Sequence, residues 1–204
     1  MVEPNGKTGV QRRAVSRSDF LKWTAGTGVA AAASGALLTV PAGATRSGPS
    51  SQQDKEILAF LLSLERFEVA WHEGAADIGL SSELSDYAGV VAEHDRDHLE
   101  LLAKLVGDAS TSLPDVSDAL PSAKRFGADA VSLKEAVVAA YIGQSGNLTR
   151  SSVLDVARIT AVEARHAAWL RDIIGTLPAP SAADPASSQQ QVNAVLRRLG
   201  LVGG

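Results

Sequence analysis

The sequence contains no cysteine. Disulfides and thiolate ligands are therefore excluded, and any metal site in this chain must be built from Asp, Glu and His. Aromatic residues are scarce, at 4% of 204 residues, while alanine is abundant. That balance favours small-residue helical packing over a β-sandwich. An excess of positive charge is missing too: 19 Lys and Arg face 23 Asp and Glu, for a net charge of −4, which argues against nucleic acid as a partner. No nucleophile elbow, phosphate loop or zinc-protease helix is found. What is present is 45% hydrophobic against 21% charged residues, enough for a sizeable core. The length fits one domain plus extensions.

Residues 1–44 read as an export signal. Arg12, Arg13, Arg17 and Lys22 form a basic region, residues 23–40 are weakly apolar, and Ala42-x-Ala44 supplies a small-residue cleavage signal. The stretch "SRSDFLK" (16–22) resembles the twin-arginine export motif with Ser18 in place of the second arginine. The general secretory route is the alternative. The many Gly, Ala, Ser and Thr make the span a poor permanent membrane helix, so no stable membrane span is expected after cleavage. An exported location, extracellular or in the cell envelope, follows.

Residues 45–53 form a polar linker, and four helical patterns fill 54–176. The first covers about 54–79, opening at Asp54 as N-cap, with the stripe Ile57, Leu61, Leu64, Glu68, Trp71, Ala75. The second covers about 83–106, stopped by Gly107, with the stripe Leu84, Tyr87, Val91, Asp95, His98, Leu102, Leu105. A segment carrying Pro114 and Pro121 then crosses over to a third pattern at about 123–144 and a fourth at about 151–175. Steps of three and four are the helical period. Long helices, short connections and one longer crossover predict an all-α, antiparallel four-helix bundle with the crossover between helices 2 and 3. Residues 177–204 form a turn-rich tail ending in a short amphipathic helix. The two halves echo each other: Asp95-x-x-His98-x-x-x-Leu102 parallels Glu163-x-x-His166-x-x-x-Leu170.

The apolar stripes carry charge. Burying an unpaired carboxylate costs several kcal/mol, against a domain stability of only about 5–15 kcal/mol. Glu68, Asp95 and Glu163 therefore need a neutralising partner: a proton, a buried cation or metal. A Glu from each of two helices plus Glu-x-x-His from the other two builds a dinuclear carboxylate site, because positions i and i+3 share a helix face. Carboxylates with imidazoles suit Fe or Mn, and zinc is compatible.

Three stretches resemble the secreted ferritin-like proteins: "LERFEVAWH" (64–72) their first-helix signature, "VAAYIG" (138–143) their third helix, and "VEARHAAWLR" (162–171) their fourth. The resemblance implies a ferritin-like bundle and, in bacteria, often a twin-arginine leader. It implies Glu163 and His166 as ligands in the fourth helix and Glu65 in the first, although Glu68 lies nearer the centre of the stripe. In the second helix His98 matches, with Asp95 where Glu is expected. In the third helix the expected Glu falls on Lys134, and Glu135 is next door but about 100° round the helix. The candidate metal ligands are thus Glu65, Glu68, Asp95, His98, Glu135, Glu163 and His166.

Charge counting leaves three solutions for Glu65, Glu68, Asp95 and Glu163: two divalent ions, Lys134 with protonation of one or two carboxylates, or a single ion held by Glu163, His166, His98 and one more carboxylate. His94 forms H-x-x-x-H with His98 but reads as water-facing beside Glu93, and His72 reads as surface. Two functions follow. One is metal handling or oxidoreductase-like chemistry with one or two Fe or Mn ions. The other is a metal-free structural or protective bundle that has lost its site through Lys134 and Asp95. The oligomeric state is open, a homodimer included.

Export is testable directly. Mass spectrometry of secreted material should show a chain beginning at Thr45, whereas a full-length chain embedded in membrane would contradict the reading. Ser18→Arg should raise export if the twin-arginine route is used.

Overall fold

The computed structural model describes residues 48–108, 110 and 112–202. Residues 1–44, read above as an export signal, and the cleavage expected after Ala44 lie outside the described residues. Among the described residues there are five α-helices and no strand. They are α1 (Ser51–Gly74), α2 (Ser82–Val106), α3 (Ala123–Ser145), α4 (Arg150–Ile173) and α5 (Gln189–Arg198). None is long and apolar enough to cross a membrane.

The first four helices make the expected bundle. α1 packs along α2 and α3 along α4, each pair joined by a short connection. The two hairpins meet through α2 against α4 and α1 against α3. Among its described residues, the crossover between α2 and α3 holds a short 3-10 turn, Ser117–Ala119. Apolar residues at steps of three and four on each helix fill the centre: Leu61 and Leu64, Val91 and Leu102, Leu133 and Val137, Val156 and Leu170 are all essentially inaccessible.

Local chemistry sets the helix ends. Ser50 accepts from the Gln53 amide and Ser81 from the Leu84 amide, satisfying otherwise unpaired N–H groups. Gly107 ends α2 in the left-handed conformation at φ 79°, which costs glycine nothing. α1 therefore starts before Asp54, because Ser50 supplies its cap. Asp54 is used elsewhere: its buried carboxylate accepts from the Thr149 amide at 2.8 Å, the Ser152 hydroxyl at 2.6 Å and the Thr149 hydroxyl. It thus caps α4 from the neighbouring hairpin, where an anion also favours the positive end of the helix. α1 ends at Gly74 and continues as a 3-10 turn, Ala75–Asp77.

The tail is tied down. The Ser187 amide donates to the Ala139 carbonyl of α3 at 2.8 Å. Gly143 permits that approach, since a Cβ there would meet the Ser187 backbone. A reciprocal Ser188–Gln191 capping box opens α5, which buries Val192 and Leu196 against the bundle.

Leu170 is the last buried residue of the core stripe of α4 and has no exposure. Leu170→Ala should cost roughly 2–5 kcal/mol in denaturant unfolding, and a loss below about 1 kcal/mol would contradict the packing described.

Candidate metal centre

Each bundle helix sends polar groups into the apolar interior at helical spacing. Glu65, Glu68 and His72 share one face of α1, Asp95 and His98 one face of α2, Lys134 and Tyr141 one face of α3, and Glu163 and His166 one face of α4. All nine are buried, and Glu65, Glu68, Asp95, Lys134 and Glu163 have no exposure at all.

Lys134 stands at the middle of this set. Its Nζ lies 2.9 Å from Asp95 Oδ1, 2.7 Å from Glu163 Oε2 and 2.9 Å from Glu68 Oε1. One ammonium on α3 therefore touches a carboxylate from each of the other three helices. Burial opposes its charge, but Asp95, Glu163 and Glu68 prevail and hold its pKa well above the ordinary lysine value. Burial likewise disfavours the Glu163 carboxylate, yet Lys134, with His166 and His98, holds its pKa well below the usual range. Glu68 goes the other way. Burial outweighs Lys134, and its pKa is raised well above the usual carboxylate value. Glu65 is pushed up to about 7 by burial, against the opposing His98.

A second group of atoms flanks the ammonium. His98 Nδ1 is 3.1 Å from Glu163 Oε1 and 3.5 Å from Glu65 Oε2, and His166 Nδ1 is 3.4 Å from Glu163 Oε1. These four atoms are close but misaligned, and none has a hydrogen-bond partner. Burial disfavours the imidazolium of His98, but Glu163 and Glu65 raise its pKa to about 10. Burial lowers that of His166. Glu65, Asp95, His98 and Glu163 each offer an atom within 4.8 Å of the others, so this buried cluster can hold a metal ion. His166 adjoins it through Glu163.

The fit is good for one ion and poor for two. His98, Glu163 and Glu65 offer unpartnered donors within the four-residue cluster, and His166 Nδ1 lies 3.4 Å from Glu163 Oε1 beside it. The space among Glu68, Asp95 and Glu163 is taken by the Lys134 ammonium, so a second cation there would meet both its bulk and its charge.

The sequence-derived candidates are placed as follows. Glu65, Glu68, Asp95, His98, Glu163 and His166 converge. Glu135 does not: it is exposed and pairs with Arg171 on the outside of the α3–α4 hairpin. Its place one residue past Lys134 turns it away from the interior. His72, expected at the surface, is 2% exposed and bonds Asp95 Oδ2 through Nδ1 at 3.0 Å. Its position four residues after Glu68 was the signal for that. Tyr141, whose hydroxyl donates to Glu65 Oε1, was not anticipated as part of the site. It lies two helical turns after Lys134, on the same face. His94 is exposed, as expected, but is bonded to His166.

Compared with known families, residues 53–176 match the model of the ferritin-like domain. No curated protein matches the chain.

The opposite shifts of two glutamates give a contrast. Glu163→Gln removes a charge that faces Lys134 and should cost about 3–5 kcal/mol in a pH 7 melt. Glu68→Gln replaces a carboxyl that burial already favours as neutral, and should cost no more than about 1 kcal/mol. Equal losses would contradict the assigned charge states.

Proposed function

The chain belongs to the ferritin-like domain family, and we propose that it is an exported member whose core holds a single iron or manganese ion, with Lys134 in place of a second. The observation that carries this reading is the buried cluster of Glu65, Asp95, His98 and Glu163, whose ligand atoms lie within 4.8 Å of one another, with Glu65 Oε2, His98 Nδ1 and Glu163 Oε1 free of hydrogen-bond partners and His166 Nδ1 3.4 Å from Glu163 Oε1 beside it. Donors bound to one ion at about 2.0–2.2 Å sit roughly 3 Å or slightly more apart. The Glu163 to His98 and Glu163 to His166 separations of 3.1 and 3.4 Å fall in that range. Two imidazoles with carboxylate suit non-haem iron, and manganese accepts the same donors.

A bound Fe or Mn would supply one-electron chemistry toward oxygen or peroxide, as metal handling or an oxidoreductase-like activity. The protein's own residues set the stage for it. Glu163 spans both halves of the core, one oxygen toward Lys134 and the other toward the histidines. Lys134 neutralises Asp95 and Glu163 without needing a second ion. Tyr141 holds Glu65 from the far side through its hydroxyl. Export rests on residues 1–44. The reading includes no nucleic acid partner and no stable membrane span after cleavage, and it is compatible with a homodimer.

A second reading is supported by the charges. Lys134 and an imidazolium at His98 balance Asp95 and Glu163, while burial raises Glu65 and Glu68 toward their neutral forms. A metal-free structural or protective bundle is thereby electrically closed.

Metal analysis and thermal melts of untagged protein separate the two. The one-ion reading expects a single Fe or Mn per chain and a metal-dependent rise in melting temperature that His166→Ala abolishes. Lys134→Glu should destabilise the metal-free protein by about 3–5 kcal/mol and regain stability with added Fe or Mn. Metal stabilisation in Lys134→Glu but none in wild type would favour the metal-free reading.

A further inference from the structure

The carboxylates of the core and Lys134 are sealed from water. An ion reaching them must cross a wall of side chains and exchange its water for protein donors on the way. Imidazoles thin that wall at one place. His98 is 8% exposed and His166 4%, and His94, one turn before His98 on α2, lies at the surface. His94 Nδ1 is 2.9 Å from His166 Nε2. The two rings are stacked, with centroids 5.2 Å apart and planes 16° apart. The His98 ring lies 6.3 Å from that of His166. His166 thus has one nitrogen on each side of the wall. Nε2 faces His94 at the surface, and Nδ1 lies 3.4 Å from Glu163 Oε1 inside.

We propose that His94 and His166 form an outer transit site for a divalent transition-metal cation, through which the ion passes between solvent and the core. The proposal rests on the one-ion reading of the core. Two imidazole nitrogens bound to one ion at about 2.0–2.1 Å lie roughly 3 Å apart when they are neighbours in its coordination shell. The observed 2.9 Å separation is that of a hydrogen bond, and it brings the two nitrogens within reach of one ion once that bond opens. An arriving ion displaces the hydrogen bond: the rings turn so that both lone pairs meet the ion, and the hydrogen that joined them is exchanged through water to the other nitrogen of the donor ring, so both imidazoles stay neutral. Imidazole is a good donor for first-row ions, and the ion keeps waters on its exposed side, so dehydration is shared over two stages. His166 belongs to both stages, since its two nitrogens look in opposite directions. The same geometry explains why a surface histidine is spent on a bond to a buried one.

Co²⁺, whose visible absorption reports its ligands, tests this on the untagged full chain. Wild type should take up a single Co²⁺ per chain. His94→Ala should slow both uptake and chelator-driven release by about tenfold or more, with the final stoichiometry and affinity unchanged, because a site lying only on the path alters both rates alike. His94→Asp, which keeps a donor, should restore the rates toward wild type. His94→Gln, which keeps a hydrogen-bonding amide but a poor ligand, should not. Unchanged rates in His94→Ala would overturn the transit site and leave the one-ion core standing. A weakened affinity with an unchanged uptake rate would make His94 a positioning residue for His166 and also overturn it. Absence of Co²⁺ uptake by wild type would overturn the one-ion core and the transit site together.

Discussion

The ammonium of Lys134 joins all four helices of the bundle. It sits on α3 and touches Glu68 of α1, Asp95 of α2 and Glu163 of α4 within 3 Å. In so dry a setting the charges of Lys134, Asp95 and Glu163 alone would be prohibitive, and together they hold only because opposite charges meet at short range. The register of the helices is bound to this point. Sliding any one of them by a turn would part a carboxylate from the ammonium and leave both in apolar surroundings. The leucine and valine layers on either side provide most of the burial, but they tolerate shifts that the ion pairs do not.

Around that centre the polar groups are arranged in depth. Glu163 is shared: one carboxylate oxygen serves the lysine and the other faces two histidines. His72 fixes Asp95 from α1, and Tyr141 fixes Glu65 from α3. Each carboxylate is thus oriented by a residue from another helix, which leaves specific oxygens free for a ligand. On the outer side, His94 connects the set to the surface. The end of the bundle is closed by a separate device, Asp54 of α1 capping α4. Asp54 thus ties α1, and His94 ties α2, to α4 of the other hairpin.

Much of this was legible beforehand. The four helices were readable because their apolar residues recur every three or four positions, and the end of α2 because Gly107 is cheap in a left-handed turn. Glu163 and His166 were readable as one face by spacing alone. The misreadings share a cause. Asp54 has the composition of a cap and does cap a helix, but α4 rather than its own. His72 and Tyr141 have polar atoms that suit the surface equally well, and only a partner on another helix keeps them inside. Glu65 and Glu68, indistinguishable in sequence, are both buried and differ in whom they meet: Tyr141 and His98 for one, Lys134 for the other.

The sequence by itself determined the helical period, the all-α class and the face on which each charged residue sits, because these depend on neighbours within a turn or two of chain. Only the tertiary structure decided that Lys134 points inward to three carboxylates while Glu135 turns out to Arg171. The sign of a buried charge's energy depends on which groups lie within a few ångströms, and those groups come from other helices up to dozens of residues away. Helix spacing fixes direction around one axis, and the relative height and rotation of four axes fix which directions converge.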